Sequence, residues 1–171
     1  AGRVITSIPA FEKYAETHDD FIIVCEGGMN FYKSHPVLHK YAYDNWHKGL
    51  FEDKIKDRDC VTPEPYRRWH YYNQKCSIAQ AFDLEINGID EPRDLPKPTI
   101  KLAKSEGIQG LQLVDEAIKV TGKEKVIVVQ PFGRGVHDEG GYIFDPTSRS
   151  FNLGDISKII NELKKDYCVI V

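Results

Sequence analysis

The chain has 171 residues, 41% of them hydrophobic and 29% charged, and its 23 basic and 26 acidic side chains leave a net charge of −3. At this length about 70% of the unfolded surface disappears on folding, so one or two compact units need neither disulfides nor a structural metal. The acidic balance is not the footprint of a protein that holds nucleic acid by its phosphates, which excludes nucleic acid as the expected partner.

The longest apolar runs, Phe21-Ile22-Ile23-Val24-Cys25 and Val126-Ile127-Val128-Val129, fall far short of the ~20 residues that span a bilayer. No transmembrane segment is expected, and the amino-terminal residues lack the charged start and apolar centre of a signal peptide. The four cysteines, Cys25, Cys60, Cys76 and Cys168, form no C-x-x-C pair. A reducing cytoplasmic setting is the expectation, with secretion and two disulfides the alternative.

In chain order, Ile5, Ile8, Phe11 and Ala15 have helical spacing and predict a short helix over 4–16 with Pro9 near its start. Residues 21–25, closed by Glu26-Gly27-Gly28, predict a strand buried on both faces, as in a parallel sheet. Between 30 and 69 the aromatics and histidines are irregularly mixed with charges, which predicts short helices and loops. Ile78, Ala81, Phe82 and Glu85 share one side of a helix predicted within 72–87, with Asn87-Gly88 as its C-cap. Three prolines within 92–98 mark an extended connection.

Beyond it the pattern predicts a short strand at 99–103, a helix over 106–121 with Ile108, Leu111, Val114 and Ile118 inward, and a second buried strand from 126. A twenty-residue stretch, 131–150, follows, with Tyr142-Ile143-Phe144 a candidate strand inside it. Asp155 is the candidate N-cap of a helix over 156–165, whose Ile156, Ile159, Ile160 and Leu163 form one stripe, and 167–171 is a final buried strand. Strand, loop, helix and strand make a right-handed βαβ unit. The fold class is therefore α/β with Rossmann-like parallel sheets, divided into 1–95 and 96–171.

Gln130-Pro131-Phe132-Gly133-Arg134-Gly135 occupies the carboxyl end of a buried strand, where ligands of such sheets bind. Gly133 and Gly135 let backbone N–H groups approach an anion, the following helix offers its positive dipole end, and Arg134 and Arg149 carry charge suited to a diphosphate. The stretch matches neither G-x-G-x-x-G nor the P-loop. The bland alternative is a glycine-rich surface loop with solvated arginines, and Asp155 at the helix start competes with an anion.

His35 and His39 have the i, i+4 spacing of metal ligands, with Asp44 and His47 nearby. Pro36 between them and the missing H-E-x-x-H glutamate favour ordinary histidines, so no metal is assigned. Tyr66-Arg67-Arg68-Trp69-His70-Tyr71-Tyr72 reads as packing, or else as a platform for sugars. Glu26 after the first strand is a candidate acid or base, though a turn carboxylate is the commoner reading. No nucleophile elbow or catalytic cysteine signature is present.

Gly2-Arg3-Val4-Ile5-Thr6-Ser7-Ile8-Pro9-Ala10-Phe11 resembles the opening G-D-V-x-x-T-x-P-A-L segment of the ADP-heptose:lipopolysaccharide heptosyltransferases, glycosyltransferase family 9. Residues 21–26 resemble that family's second strand, and His35-Pro36-Val37 its H-P-x-V segment. Residues 97–105 resemble its entry into the second domain, and 126–131 with Ser148-Arg149-Ser150-Phe151 the start of its donor-binding domain. The resemblance implies a GT-B arrangement of two Rossmann-like domains. It implies metal-independent transfer of a sugar from a nucleotide-diphosphate sugar to a glycan acceptor, with no further cofactor. It places Arg149 near the donor diphosphate with Ser148 and Ser150 beside it, and Thr6 and Ser7 on the substrate side.

Two departures accompany it. The family's acidic residue after the first glycine corresponds to Arg3, which cannot accept a proton at neutral pH, so the catalytic residue is left unknown. The later donor motifs do not appear before Val171, which predicts an incomplete or shortened GT-B arrangement. A sheet ending there has an open edge suited to self-association or to a partner chain. The competing function is a non-catalytic α/β binding or assembly module on the same scaffold; a small flavodoxin-like protein is disfavoured by too few strands in the first half.

Overall fold

The computed structural model describes residues 2–133, 135–140 and 142–171. It is a mixed α/β structure that divides into two compact units, Ala1–Ala103 and Lys104–Val171. The division falls after the proline-rich stretch, which is tied to the first unit: Gln80 Nε2 donates to the Arg93 carbonyl at 2.9 Å, and Arg93 grips Asp83 through two hydrogen bonds of 2.7 and 2.9 Å.

The first unit is built on helix α1 (Gly2–Ala15), strand β1 (Ile23–Cys25), helix α2 (Met29–Lys33), strand β2 (Ala42–Asp44) and helices α3 (Trp69–Tyr72) and α4 (Ile78–Ile86), joined by short 3-10 and π-type turns. β1 and β2 pair in parallel, Ile23 opposite Ala42 and Cys25 opposite Asp44. Val4, Ile8, Ile23, Met29, Tyr32, Leu38 and Tyr41 form its core. Each such fully buried side chain contributes about 1.5–3 kcal/mol of transfer free energy. On α4, Ala81, Phe82 and Leu84 are also buried, and Asn87 Nδ2 donates to the Ala10 carbonyl, linking α4 to α1.

Several expectations are corrected here. Pro9 lies mid-helix rather than near the start, fully buried within α1; its fixed φ suits a helix, and burial of its ring offsets the lost N–H. β1 is not buried on both faces, because Val24 is 41% exposed on a sheet of only two strands. The helix expected within 72–87 begins at Ile78, where Ser77 and Gln80 close a reciprocal capping box. Before it, α3 stops and Gln74 turns the chain at a positive φ. The Asn87-Gly88 ending is as expected, Gly88 adopting φ 60°.

The second unit contains α5 (Lys104–Thr121), β3 (Val126–Val128), β4 (His137–Asp138), β5 (Ile143–Phe144), α6 (Leu153–Leu163) and β6 (Cys168–Ile170). β3 pairs in parallel with β6 across α6, as the βαβ reading requires, while β4 and β5 form a small antiparallel hairpin in the loop between. Residues 99–103 are not a strand: they belong to none of the sheets formed by the described residues. On α5, Ile108 and Leu111 are exposed rather than inward, while Val114 and Ile118 are half-buried. The N-cap of α6 is Asn152, not Asp155: its extended backbone and side-chain oxygen receive the Gly154 and Asp155 amides. The stripe behind that cap is only partly covered, with Ile156 buried and Ile159 exposed.

Candidate functional site

The 131–150 loop leaves the carboxyl end of β3 and returns where the Phe151 amide donates to the Pro131 carbonyl at 3.0 Å. Asp145 organises it. Its Oδ1 accepts from the Thr147 amide at 2.8 Å and hydroxyl at 2.6 Å, and its Oδ2 from the Ser150 hydroxyl at 2.5 Å and the Arg149 amide at 3.1 Å. These bonds, the Ser150 and Thr147 hydroxyls first, hold the Asp145 carboxyl below the usual carboxylate range, at about 2.

Ser150 Oγ also accepts from the Gly133 amide at 2.9 Å, which draws the start of the loop onto its end. A Cβ on Gly133 would stand 2.9 Å from the Arg149 Cβ, and one on Gly135 2.8 Å from the Thr147 Cγ2, so both glycines allow a close approach that a side chain would block. Ser148 sits at the turn with φ 53°.

Gly133, Gly135, Ser148, Arg149 and Ser150 are thus brought together; Arg134 lies outside the described residues. The amides of Gly133, Thr147 and Arg149 are already committed to the loop, and Asn152 takes those of α6. An anion here would therefore meet the Arg149 guanidinium, which is exposed and has no hydrogen bond or ion pair among the described residues. Of the two glycine amides, that of Gly133 is taken by Ser150 Oγ, and Asp145 takes those of Thr147 and Arg149.

Thr6 and Ser7 belong to the first unit. Ser7 is buried, its hydroxyl shared between the Val4 carbonyl and the Tyr32 hydroxyl. Thr6 bonds back to the Gly2 carbonyl and lines a groove of about 310 Å³ with Pro9, Gln80, Asp94 and Pro96. Arg3, at the position of the family's acidic residue, donates to the Pro63 carbonyl at 2.6 Å, lies 3.6 Å from Glu64 and sits over the Tyr66 and Phe82 rings. It clamps the 63–66 segment to α1.

A second groove, about 400 Å³, opens beyond the carboxyl ends of β1 and β2 and is lined by Met29, Lys33, Tyr43, Asp44, Trp46 and His47 among others. It was not assembled from the sequence, since β2 has no apolar run to mark it. The available signal was Tyr41-Ala42-Tyr43, an aromatic alternation just ahead of Asp44 and Trp46.

The remaining candidates separate. His35 is buried and bonded to Glu12, and His39 Nδ1 donates to the His35 carbonyl at 2.8 Å. Among the described residues no group of three or more His, Cys, Asp or Glu side chains is placed to hold a metal ion. Glu26 is exposed. In the 66–72 segment Tyr66 packs edge-on against Tyr71, while Trp69 and Tyr72 face solvent. The four cysteines are free thiols.

Comparison with family models, with curated proteins and with solved structures finds no match to this chain. Among the described residues no helix is long and apolar enough to cross a membrane.

Proposed function

We propose that this chain carries a glycosyltransferase activity of heptosyltransferase-like, GT-B type, moving a sugar from a nucleotide-diphosphate sugar to a glycan acceptor. The observation that carries the reading is the Arg149 guanidinium, unpaired among the described residues, on a loop fixed at the carboxyl end of β3 in a βαβ unit. The loop is held by the Asp145 hydrogen bonds, so the arginine is presented from a preorganised backbone, which suits a diphosphate. Ser148, beside it in the chain, is exposed and available to a phosphate oxygen.

The proposal includes the GT-B arrangement, a cytoplasmic location where the donor is met, and a partner or second copy along the open edges of the two-stranded β3–β6 sheet. Calorimetric titration with ADP-, GDP- and UDP-sugars tests it. Saturable binding of one donor, weakened about tenfold or more by Arg149→Ala, is expected for a charge-assisted contact; no binding of any donor overturns the reading.

One observation favours the second reading, a non-catalytic binding module. Arg3 stands where the resemblance calls for a carboxylate and is committed to Pro63 and Glu64. Release of nucleoside diphosphate from a bound donor, above a control without protein, eliminates that reading.

A further inference from the structure

The groove beyond β1 and β2 has a lining with an uncommon balance. Asp44 places a carboxylate in it, Lys33 and His47 an ammonium and an imidazole, and Trp46 an indole that is 83% exposed. The segment is held by its own backbone. The Asn45 amide donates to the Cys25 carbonyl at 3.3 Å, the Trp46 amide to Asp44 Oδ1 at 3.0 Å, and the His47 amide to the Asp44 carbonyl at 2.9 Å. The His47 ring meets Tyr43 edge-on, 5.1 Å between centroids. Asp44 Oδ2 has no partner among the described residues.

The charges select the ligand class. A cation on Trp46 is opposed by Lys33, an anion by Asp44, and a wholly apolar ligand would strand three polar groups. A neutral ring with an apolar face and a hydroxyl edge satisfies all of them, and the volume lies in the small-ligand range of about 300–1000 Å³. We propose that this groove is a pyranose-binding subsite, in which Trp46 stacks on the ring's C–H face and Asp44 Oδ2 accepts its hydroxyls. Lys33 and His47, also in the lining, donate to further ring oxygens. The assignment rests on the glycosyltransferase reading only in naming the bound sugar as the acceptor.

The test uses the two tryptophans, Trp46 and Trp69. In Trp69→Phe, Trp46 is the single reporter, and the chain is titrated with a panel of methyl hexopyranosides, methyl heptopyranosides and neutral oligosaccharides. A saturable change in Trp46 emission is expected with at least one of them. Asp44→Asn in that background should weaken binding about tenfold, as for a lost hydrogen bond to a charged group. In Trp46→Phe the remaining Trp69, 63% exposed on α3, should report no sugar-dependent change, with far-ultraviolet circular dichroism confirming the fold of each variant. No response from Trp46 across the panel, or an equal response from Trp69, overturns the subsite. Donor titration fails or succeeds independently: donors that bind without any response at Trp46 leave the transferase reading standing and remove the subsite. A response at Trp46 without donor binding keeps the subsite and removes the acceptor role.

Discussion

His35 donates from Nε2 to Glu12 Oε1 at 2.9 Å, while its Nδ1 accepts the Val37 and Leu38 amides at 3.1 and 3.0 Å. Two amide donors on Nδ1 leave it without a proton, so the hydrogen-bond network assigns the Nε2–H tautomer. The ring is 2% exposed and joins α1 to the turn that leads into β2. His35-Pro36-Val37, which attracts notice both as a metal-ligand spacing and as a family-like segment, is thus a structural joint. Replacing His35 by Phe strands two backbone amides and one carboxylate oxygen, for an expected loss of about 2–4 kcal/mol. Glu12→Gln keeps an acceptor and should cost under about 1 kcal/mol. Urea unfolding of the three proteins reads the difference; equal stabilities contradict the joint.

Asp83 is fully buried and takes three hydrogen bonds, two from Arg93 and one from Asn87 at 2.7 Å. Removing the arginine leaves a buried carboxylate with one partner, and Arg93→Ala should destabilise by about 3–5 kcal/mol. The paired change Asp83→Leu with Arg93→Met should cost less than either single substitution. A double-mutant cycle by denaturant unfolding measures this, and a strictly additive cycle contradicts the coupling.

Asp145 sets a pH dependence local to the loop. Its carboxyl is held at about 2, below the unfolded value of ~3.9. The ordering it supplies is therefore fully present above about pH 4 and is lost as pH falls through 2. NMR titration of the Thr147 and Arg149 amides should show that midpoint. Ser150→Ala removes the largest of the lowering contacts and should move the midpoint upward; an unchanged midpoint would falsify the assignment of the Ser150 hydroxyl as its chief cause.

Tyr32 illustrates the opposite sign. Burial pushes its phenol up to about 12, while the Ser7 hydroxyl bond pulls the other way. The native state holds this proton more tightly than the unfolded chain, whose tyrosine ionises at ~10. Its contribution is complete below pH 10 and fades as pH rises through 12. Ultraviolet difference titration of the wild type against Tyr32→Phe should place one tyrosine in that range.

Gly133→Ala tests the loop closure. The new methyl meets the Arg149 Cβ at 2.9 Å, and neither partner is the free end of a flexible chain, so the backbone must shift. A cost of about 1–3 kcal/mol is expected, seen as faster hydrogen exchange at the Gly133 amide, whose acceptor is Ser150 Oγ. Protection equal to that of the wild type excludes the closure.

Residues 126–129 and 167–171, with the Ile156 helix between them, were legible as strands because β-branched runs and a 3.6-residue stripe are local properties, although the full burial expected of them is not found, since Val128 is 72% exposed and the sheet has only two strands. The same holds for the proline-rich connection and the Gly88 helix ending, where fixed φ and positive φ leave the chain few choices. The sequence by itself thus determined the α/β class and the parallel βαβ unit, because each element's own residues specify it.

The tertiary structure decided what depends on a neighbour. Tyr41-Ala42-Tyr43-Asp44 carries only a brief aromatic alternation and no apolar run, and it becomes β2 by pairing with β1, which in turn creates the groove at Asp44 and Trp46. Ile108 and Leu111 give α5 its periodicity, yet periodicity cannot say whether anything covers them, and they are exposed. Asn152 and Asp155 are equally able caps; the backbone leaving the Asp145-centred loop is extended at Asn152, and that selects it. The glycines of 131–135 promised amides for an anion, but Asp145, ten or more residues away in sequence, reaches those of the loop's far end and, through Ser150, fixes Gly133. Local chemistry lists what each residue can bond; only the folded chain brings one partner within reach before another.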